Sequence, residues 1–269
     1  MSVVLYEVED GVATLTLNLP DKLNPIAKDL QLALRDALAR VAADTAVRAV
    51  VLTGAGKAFC AGADLSAMRA PEAGKTLGDE TADWMQSLSN PLISGLRSLP
   101  VPVVCAVNGP AAGAGVGIAL AGDVVLAARS AYFYLSFLPR LGLVPDLGCT
   151  WFIPRLVGPA RALGMALLDE RVSAEKAAQW GLIWDCVDDA QLLAEARKTA
   201  QRLARLPAHA VHEARAALAA SARHTLDEQL HYESERQRDM IMKPSFGEGV
   251  AAFLQKRPAV FEARAAGTP

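Results

Sequence analysis

Residues 102–131, PVVCAVNGPAAGAGVGIALAGDVVLAARSA, decide the fold. Residues 101–122 carry no charged side chain, and a run of that length could cross a bilayer. It nevertheless contains Pro102, Asn108, Pro110 and five glycines, and its first half is rich in β-branched residues. Such a pattern predicts a buried strand over 101–107, a tight glycine turn, and a buried helix over 113–120. A further strand follows at 124–128 and another at 132–137.

Outward from this stretch, apolar runs at 3–7 and 12–17 flank Asp10-Gly11, which predicts a β-hairpin. Pro25 opens a helical pattern running to about Ala43, and 49–52 reads as a short buried strand ending at Thr53-Gly54. Residues 69–85 are polar with weak helical period and are expected to be a mobile segment. Residues 87–99 read as a helix. From Asp146 onward helices dominate, at 147–156, 159–168, 173–180, 190–205, 207–221 and 224–241. Strands alternate with helices for two thirds of the chain and helices then take over, so the expected class is α/β with a helical C-terminal part.

Composition agrees with a folded protein of one domain, or one domain with an extension: 269 residues, 52% hydrophobic and 21% charged. The net charge of -2 suggests neither a nucleic-acid nor a membrane-surface partner. The four cysteines, Cys60, Cys105, Cys149 and Cys186, form no C-x-x-C pair. They read as thiols of a reducing cytoplasm, not as metal ligands or a redox motif. The N-terminal residues lack the basic and apolar regions of a secretory signal.

Several chemistries can be set aside. His209, His212, His224 and His231 all fall in the expected C-terminal helices, and no G-x-S-x-G accompanies them, so a Ser-His-Asp or Cys-His site lacks its parts. Gly54-Ala55-Gly56-Lys57 lacks the spacing and the Ser/Thr of a P-loop. Gly113-Ala114-Gly115-Val116-Gly117 is not G-x-G-x-x-G and comes late in the chain for a dinucleotide site.

Two glycine-rich turns remain, 59–65 (FCAGADL) and 108–115 (NGPAAGAG), each after a buried strand. Small residues there let a ligand approach the backbone. The second turn opens a helix, whose first N–H groups are unpaired and favour negative charge. Side by side, the turns could aim two N–H groups at one oxygen and form an oxyanion hole. Tight packing of strands on helices would produce the same composition. Asp146, after Pro145, is likewise open to two readings: a helix N-cap or a functional carboxylate.

The strings KAFCAGADL (57–65), residues 102–131 and LGLVPDLG (141–148) resemble the crotonase (enoyl-CoA hydratase/isomerase) superfamily over about 3–257. The resemblance implies a crotonase-type ββα spiral core with an acyl-CoA site over 1–195. It implies a helical C-terminal trimerisation region over 196–269, and a homotrimer or a hexamer built as a dimer of trimers. It further implies a coenzyme A thioester as substrate, with no separate cofactor and no metal. The backbone N–H groups of Ala63 and Ala114 would form the oxyanion hole. Lys22 and Leu23, Ala61, Gly62, Asp64, Leu65 and Gly113 would contact the substrate, as would Phe253 and Lys256 near the C-terminus.

Hydratases of the family use two glutamates. Gly117 stands at the first position, and Phe137 or Leu138 at the second. Paired-carboxylate hydration therefore lacks its acid and base. Asp146 stands where several isomerases of the family carry an aspartate, and a dehalogenase would need a histidine near 85–95 that the chain lacks. The likeness is closest to isomerases acting on aromatic acyl thioesters, and extends through 150–168, 177–189 and 248–261. Cys149 is a departure, since many relatives carry Gly. The expected activity is thus isomerisation with Asp146 as the one acid–base. The alternatives are an enoyl-CoA hydratase using another residue and a non-catalytic acyl-CoA-binding homologue.

Overall fold

The computed structural model describes residues 2–65 and 74–262. Strands β1 (Val4–Glu9) and β2 (Val12–Leu17) pair antiparallel around Asp10 and Gly11, both at positive φ, the backbone a two-residue hairpin turn demands. Helix α1 (Lys28–Ala43) buries Leu30, Leu34, Leu38 and Val41 at helical spacing. It returns the chain to β3 (Ala49–Gly54), parallel to β2. Helices α2 (Leu77–Trp84) and α3 (Asn90–Ser98) precede β4 (Val103–Val107), all of whose residues are buried. The short β5 (Ala111–Ala112) leads into α4 (Ala114–Leu120), and β6 (Val124–Ala128) and β7 (Tyr132–Tyr134) follow. Helix α5 (Cys149–Leu167), β8 (Arg171–Ser173), α6 (Ala174–Trp180) and β9 (Asp185–Val187) complete the sheets. The last helices are α7 (Leu192–Leu203), α8 (Ala208–Ser221), α9 (Leu226–Ile241) and α10 (Pro244–Leu254).

The larger sheet has the order β1-β2-β3-β4-β6-β9, and the smaller β5-β7-β8. After the opening hairpin, every pairing in the larger sheet is parallel, and continuous apolar strands suit a sheet covered on both faces. Helix α7 packs on β2, β3, β4 and β6, so residues 195 and 196 are consecutive within a helix of the core layer. Arg215 of α8 ties the next helix to the sheet. It is paired with Asp123 and donates to the carbonyls of Leu99 and Val101.

Several expectations need correction. Of residues 69–85, 69–73 lie outside the described residues, while the end of the segment is helical: Thr76 and Asp79 form a reciprocal capping box that starts α2. The strand expected over 132–137 stops at Tyr134, and Phe137–Leu141 forms one wide helical turn. The two helices expected at 147–156 and 159–168 are present as the two halves of α5, which part at Gly158, where a φ of 79° breaks the helical path ahead of Pro159. Strands β8 and β9 and helix α10 were not expected. The strands span three residues each, too few to show period-2 alternation. No helix among the described residues is long and apolar enough to cross a membrane.

Asn24 and Asn108 staple the loop between β3 and the first glycine turn. Asn24 is fully buried at φ 53°, donates to the carbonyls of Ala55 (3.0 Å) and Ala58 (2.8 Å), and accepts from the Leu19 N–H (2.8 Å). Asn108 accepts from the Gly54 N–H (3.0 Å) and donates to the Gly56 carbonyl (3.0 Å). Replacing Asn24 by Ala leaves the Leu19 N–H and the Ala55 carbonyl without this partner, and the Ala58 carbonyl with only the longer bond from Asn108 (3.4 Å). Asn24→Ala is therefore expected to lower the unfolding free energy by about 2–4 kcal/mol in urea titration.

Candidate functional site

The two glycine turns meet edge to edge. Cys60 and Ala111 form an isolated parallel bridge, the Ala112 N–H donates to the Cys60 carbonyl (2.9 Å), and the Phe59 and Cys60 N–H groups reach Pro110 O (3.2 and 3.1 Å). A side chain is excluded where they touch. A Cβ on Gly62 would lie 2.8 Å from the Ala112 carbonyl oxygen, and one on Gly115 would lie 2.4 Å from that of Cys60. Gly62 (φ 91°) and Gly113 (φ 53°) also need the backbone freedom that glycine alone supplies readily.

Neighbouring backbone then holds each turn. The Ile26 N–H donates to Gly62 O (2.8 Å) and the Ala61 N–H to Leu23 O (2.9 Å), which brings the Lys22–Leu23 turn against the first glycine turn. The Gly113 N–H donates to Tyr134 O (2.8 Å). Tyr134 is fixed at its far end, where its hydroxyl donates to Asp169, a carboxylate also paired with Arg140 (2.6 Å). The next N–H groups along, those of Ala63 and Ala114, have no acceptor among the described residues. That of Ala114 opens the fully buried helix α4. An unpaired N–H at such a place is the arrangement an oxyanion requires.

The wall of the site is apolar at both positions where hydratases carry glutamates. Phe137 is buried with its ring edge 3.8 Å from where a Gly113 Cβ would stand, while Leu138 is exposed. At Gly117, one turn into α4, a Cβ would meet the carbonyl oxygen of Leu147 at 2.1 Å. Backbone from the Asp146 turn fills the space a longer side chain would need.

Asp146 itself caps no helix. The N-cap of α5 is Gly148, and no side chain bonds the first turn. Its Oδ1 is buried without a hydrogen-bond partner among the described residues. Desolvation pushes the carboxyl up to about 6, offset only in part by its own backbone N–H. Cys149, buried on the same turn, donates its N–H to Asp146 O (2.9 Å) and its thiol to Gly113 O (3.9 Å). Burial, and then the Asp146 charge, push that thiol up to about 12. Cys60 and Cys105 are likewise buried thiols, and burial pushes them up to about 12.

Lys22, Leu23, Ala61, Gly62, Ala63, Gly113 and Ala114 are thus brought together. Asp64 and Leu65 continue the first turn, and residues 66–73 after them lie outside the described residues. Phe253 and Lys256 are not joined to the group within one chain. They lie at the end of α10, which packs on α9, the Phe253 side chain is 83% exposed, and no hydrogen bond or ion pair connects them to Lys22 or Leu23. The four histidines lie on α8 and α9 and in the turn between them. Among the described residues no group of three or more His, Cys, Asp or Glu could hold a metal ion. Sequence reading missed Asn24, Asn108 and Leu147. The asparagines are visible only as polar residues in apolar surroundings, and Leu147 acts through its backbone, which leaves no trace in composition.

A parallel sheet wound with helices, two glycine turns fused edge to edge and a pair of free N–H groups define a class, and the chain belongs to it: the enoyl-CoA hydratase/isomerase family, whose model matches residues 7–264. The chain is 44% identical to the 1,2-epoxyphenylacetyl-CoA isomerase of Escherichia coli K12 and 43% identical to a probable enoyl-CoA hydratase of Rhodobacter capsulatus; each match covers 97% of this chain and 98% of the relative. The crystal structure of an enoyl-CoA hydratase from Polaromonas sp. JS666 superposes with a TM-score of 0.89 at 31% identity, over 96% of this chain and 99% of that one. The fold is the crotonase α/β fold, and the substrate expected of the family is an acyl-CoA thioester.

The raised carboxyl of Asp146 has a stability consequence. Its folded-state value lies above the ordinary 3.8 of an aspartate, so folding binds protons between about pH 4 and 6, and stability falls as pH rises through that window. Asp146→Asn removes the buried charge. The variant should melt above the wild type at pH 7.5, with the gap closing by pH 4 in paired thermal scans.

Proposed function

We propose that the protein is an acyl-CoA isomerase that works through a thioester enolate, with Asp146 as its single acid–base and the Ala63 and Ala114 N–H groups as the oxyanion hole. The observation that carries this reading is the pairing of one half-buried carboxyl, its Oδ1 buried without a partner among the described residues, with apolar side chain and backbone at both hydratase glutamate positions. Similarity to the E. coli isomerase supports 1,2-epoxyphenylacetyl-CoA as substrate, with an enoyl-CoA double bond as the other candidate. Lys22, Leu23, Ala61, Gly62, Asp64, Leu65 and Gly113 would hold the thioester and its nucleotide, and Phe253 and Lys256 would reach it from an adjacent chain.

The chemistry follows from charge. Two N–H groups on the thioester oxygen stabilise the negative charge that develops when a proton leaves C2. A carboxylate with a value near 6 is ionised at neutral pH, yet is a stronger base than a solvated aspartate. Asp146 takes the C2 proton, the electron pair moves onto the thioester oxygen, and the enolate collapses with a double bond relocated or a ring epoxide opened. The same carboxyl returns the proton, to C4 when a double bond is relocated or to the oxygen released when the epoxide C–O bond breaks. No water is added, so one base suffices.

Asp146→Asn should reduce turnover by roughly 100- to 10,000-fold, with thioester affinity nearly unchanged. Wild-type turnover should fall as pH drops below about 6, where the base becomes protonated. In deuterated water the wild type should introduce label into the acyl chain and form no 3-hydroxyacyl product. Rapid hydration of crotonyl-CoA, or full activity in Asp146→Asn, would replace this reading with the hydratase one. Failure of free coenzyme A to bind at millimolar concentration in calorimetry would favour a different ligand altogether.

Assembly as a trimer or a dimer of trimers is part of the same proposal. Leu218 on α8, Phe253 and Leu254 on α10 and Leu168 after α5 are each more than 60% exposed in a single chain, an apolar surface that self-association would cover. Light scattering at micromolar concentration should give three or six times the 28.4 kDa of one chain; a monomer would refute the assembly.

A further inference from the structure

Every residue of α4 is buried, and Gly117 is in its middle. At that point the helix surface is bare backbone, and the Leu147 carbonyl rests on it. A Cβ at residue 117 would stand 2.1 Å from the Leu147 oxygen, 2.9 Å from its carbonyl carbon and 3.1 Å from its Cβ. These neighbours are backbone and cannot swing aside as a flexible side chain would. The turn resting there is itself unusual. Leu147 is a non-glycine residue at φ 45°, followed by Gly148 at φ 82°, where a Cβ would strike the Phe152 ring at 2.6 Å. A leucine stays left-handed only where its surroundings over-determine it.

Two restraints do so. One is the seat on Gly117. The other is Cys149, whose N–H closes the turn on Asp146 O and whose thiol bridges to Gly113 O, facing the Gly117 N–H. The restraints join the Asp146 turn to the residue before Ala114 and to the residue one turn beyond it. Both ends of the chemistry, base and oxyanion donor, are thereby referred to the same short helix.

We propose that Gly117 and Cys149 are positioning residues, the bare helix backbone seating the Leu147–Gly148 turn and the thiol tying that turn to the oxyanion strand, so that Asp146 is held buried beside α4. The proposal rests on the reading of Asp146 as the base. Its consequence is that one-aspartate and paired-glutamate sites exclude each other on this backbone. A glutamate at 117 would enter where the Leu147 carbonyl stands and would evict Asp146 instead of joining it.

The test uses Gly117→Ala, Gly117→Glu, Cys149→Ala and Cys149→Ser in the full-length protein, with Asp146→Asn alongside. Gly117→Ala should lose roughly 100-fold in kcat with KM little changed. The acid limb of its pH profile should move from about 6 toward the ordinary carboxylate range as water reaches Asp146. Among the described residues no lysine, arginine, histidine or other carboxylate shifts the Asp146 carboxyl, and the titratable group that feels its charge is the Cys149 thiol on α5, so movement of the limb reports exposure. Cys149→Ala should shift the limb in the same direction with a smaller loss, and Cys149→Ser, which keeps a donor and acceptor, should restore both. Gly117→Glu should neither isomerise nor hydrate crotonyl-CoA.

A Gly117→Ala enzyme with wild-type kcat and pH limb overturns the proposal, as does a Gly117→Glu enzyme that hydrates while still isomerising. Should the residue 117 variants fail to fold, the Cys149 pair decides, and identical profiles in Cys149→Ala and the wild type count against it. A crystal structure of Gly117→Ala supplies the arm that is independent of activity. Displaced Leu147 and Asp146 support the proposal, and an unmoved turn defeats it. Full activity in Asp146→Asn defeats the parent reading instead, and the crystallographic arm still judges the seat.

Discussion

The approach of backbone to backbone where the two glycine turns meet is the constraint on which the rest of the structure depends. Hydrogen bonds join Cys60 to Ala112 and Pro110, and the contact closes only because Gly62 and Gly115 present no side chain to the carbonyls of Ala112 and Cys60. A methyl group at either position would separate β5 and α4 from the first turn. That separation would pull the Ala63 and Ala114 N–H groups apart. The larger sheet supports this junction: parallel β3 and β4 deliver both turns to the same end of the sheet, the end at which loops of wound α/β sheets bind ligands.

Electrostatically the site is asymmetric. On one side stand partial positive charges, the N–H groups of Ala63 and Ala114, with no acceptor among the described residues. On the other stands one half-buried carboxyl, that of Asp146, whose Oδ1 has no partner among the described residues, with buried Leu147 and Cys149 on the same turn. An unpaired acid and unpaired donors in the same buried neighbourhood each cost stability in the free protein. The cost is offset by the core around them, in which β3 and β4 and all of α4 are shielded from water. A thioester would satisfy the donors, and its C2 proton would give the carboxylate its partner, so the chemistry of the ligand completes what the fold leaves open.

The outer helices answer to a different requirement. Arg215 and Arg48 fasten α8 and the chain after α7 to the core through carbonyl oxygens and Asp123. Beyond these anchors α9 and α10 present leucine, methionine and phenylalanine to solvent. Phe253 and Lys256 belong to that outer layer, with no hydrogen bond or ion pair to the Lys22–Leu23 turn.

Much of this was written locally in the sequence. Asp10-Gly11 specified a hairpin, alternating strand and helix periods specified an α/β core, and the composition of 59–65 and 108–115 marked both glycine turns, because each depends on residues adjacent in the chain. The missing glutamates at 117 and 137–138 were equally legible as plain residue identities. The short strands β8 and β9 were not, since three residues carry no period and form only when a neighbouring strand offers a ladder. Nor could sequence tell whether Asp146 caps a helix, or how closely the two glycine turns meet. Those choices were made by contacts between distant segments: Cys60 on Ala111, Gly62 on Ala112, and Leu147 on Gly117. Backbone atoms make these contacts, and backbone is common to every residue, so only tertiary structure could reveal which carbonyl occupies the space a glycine leaves.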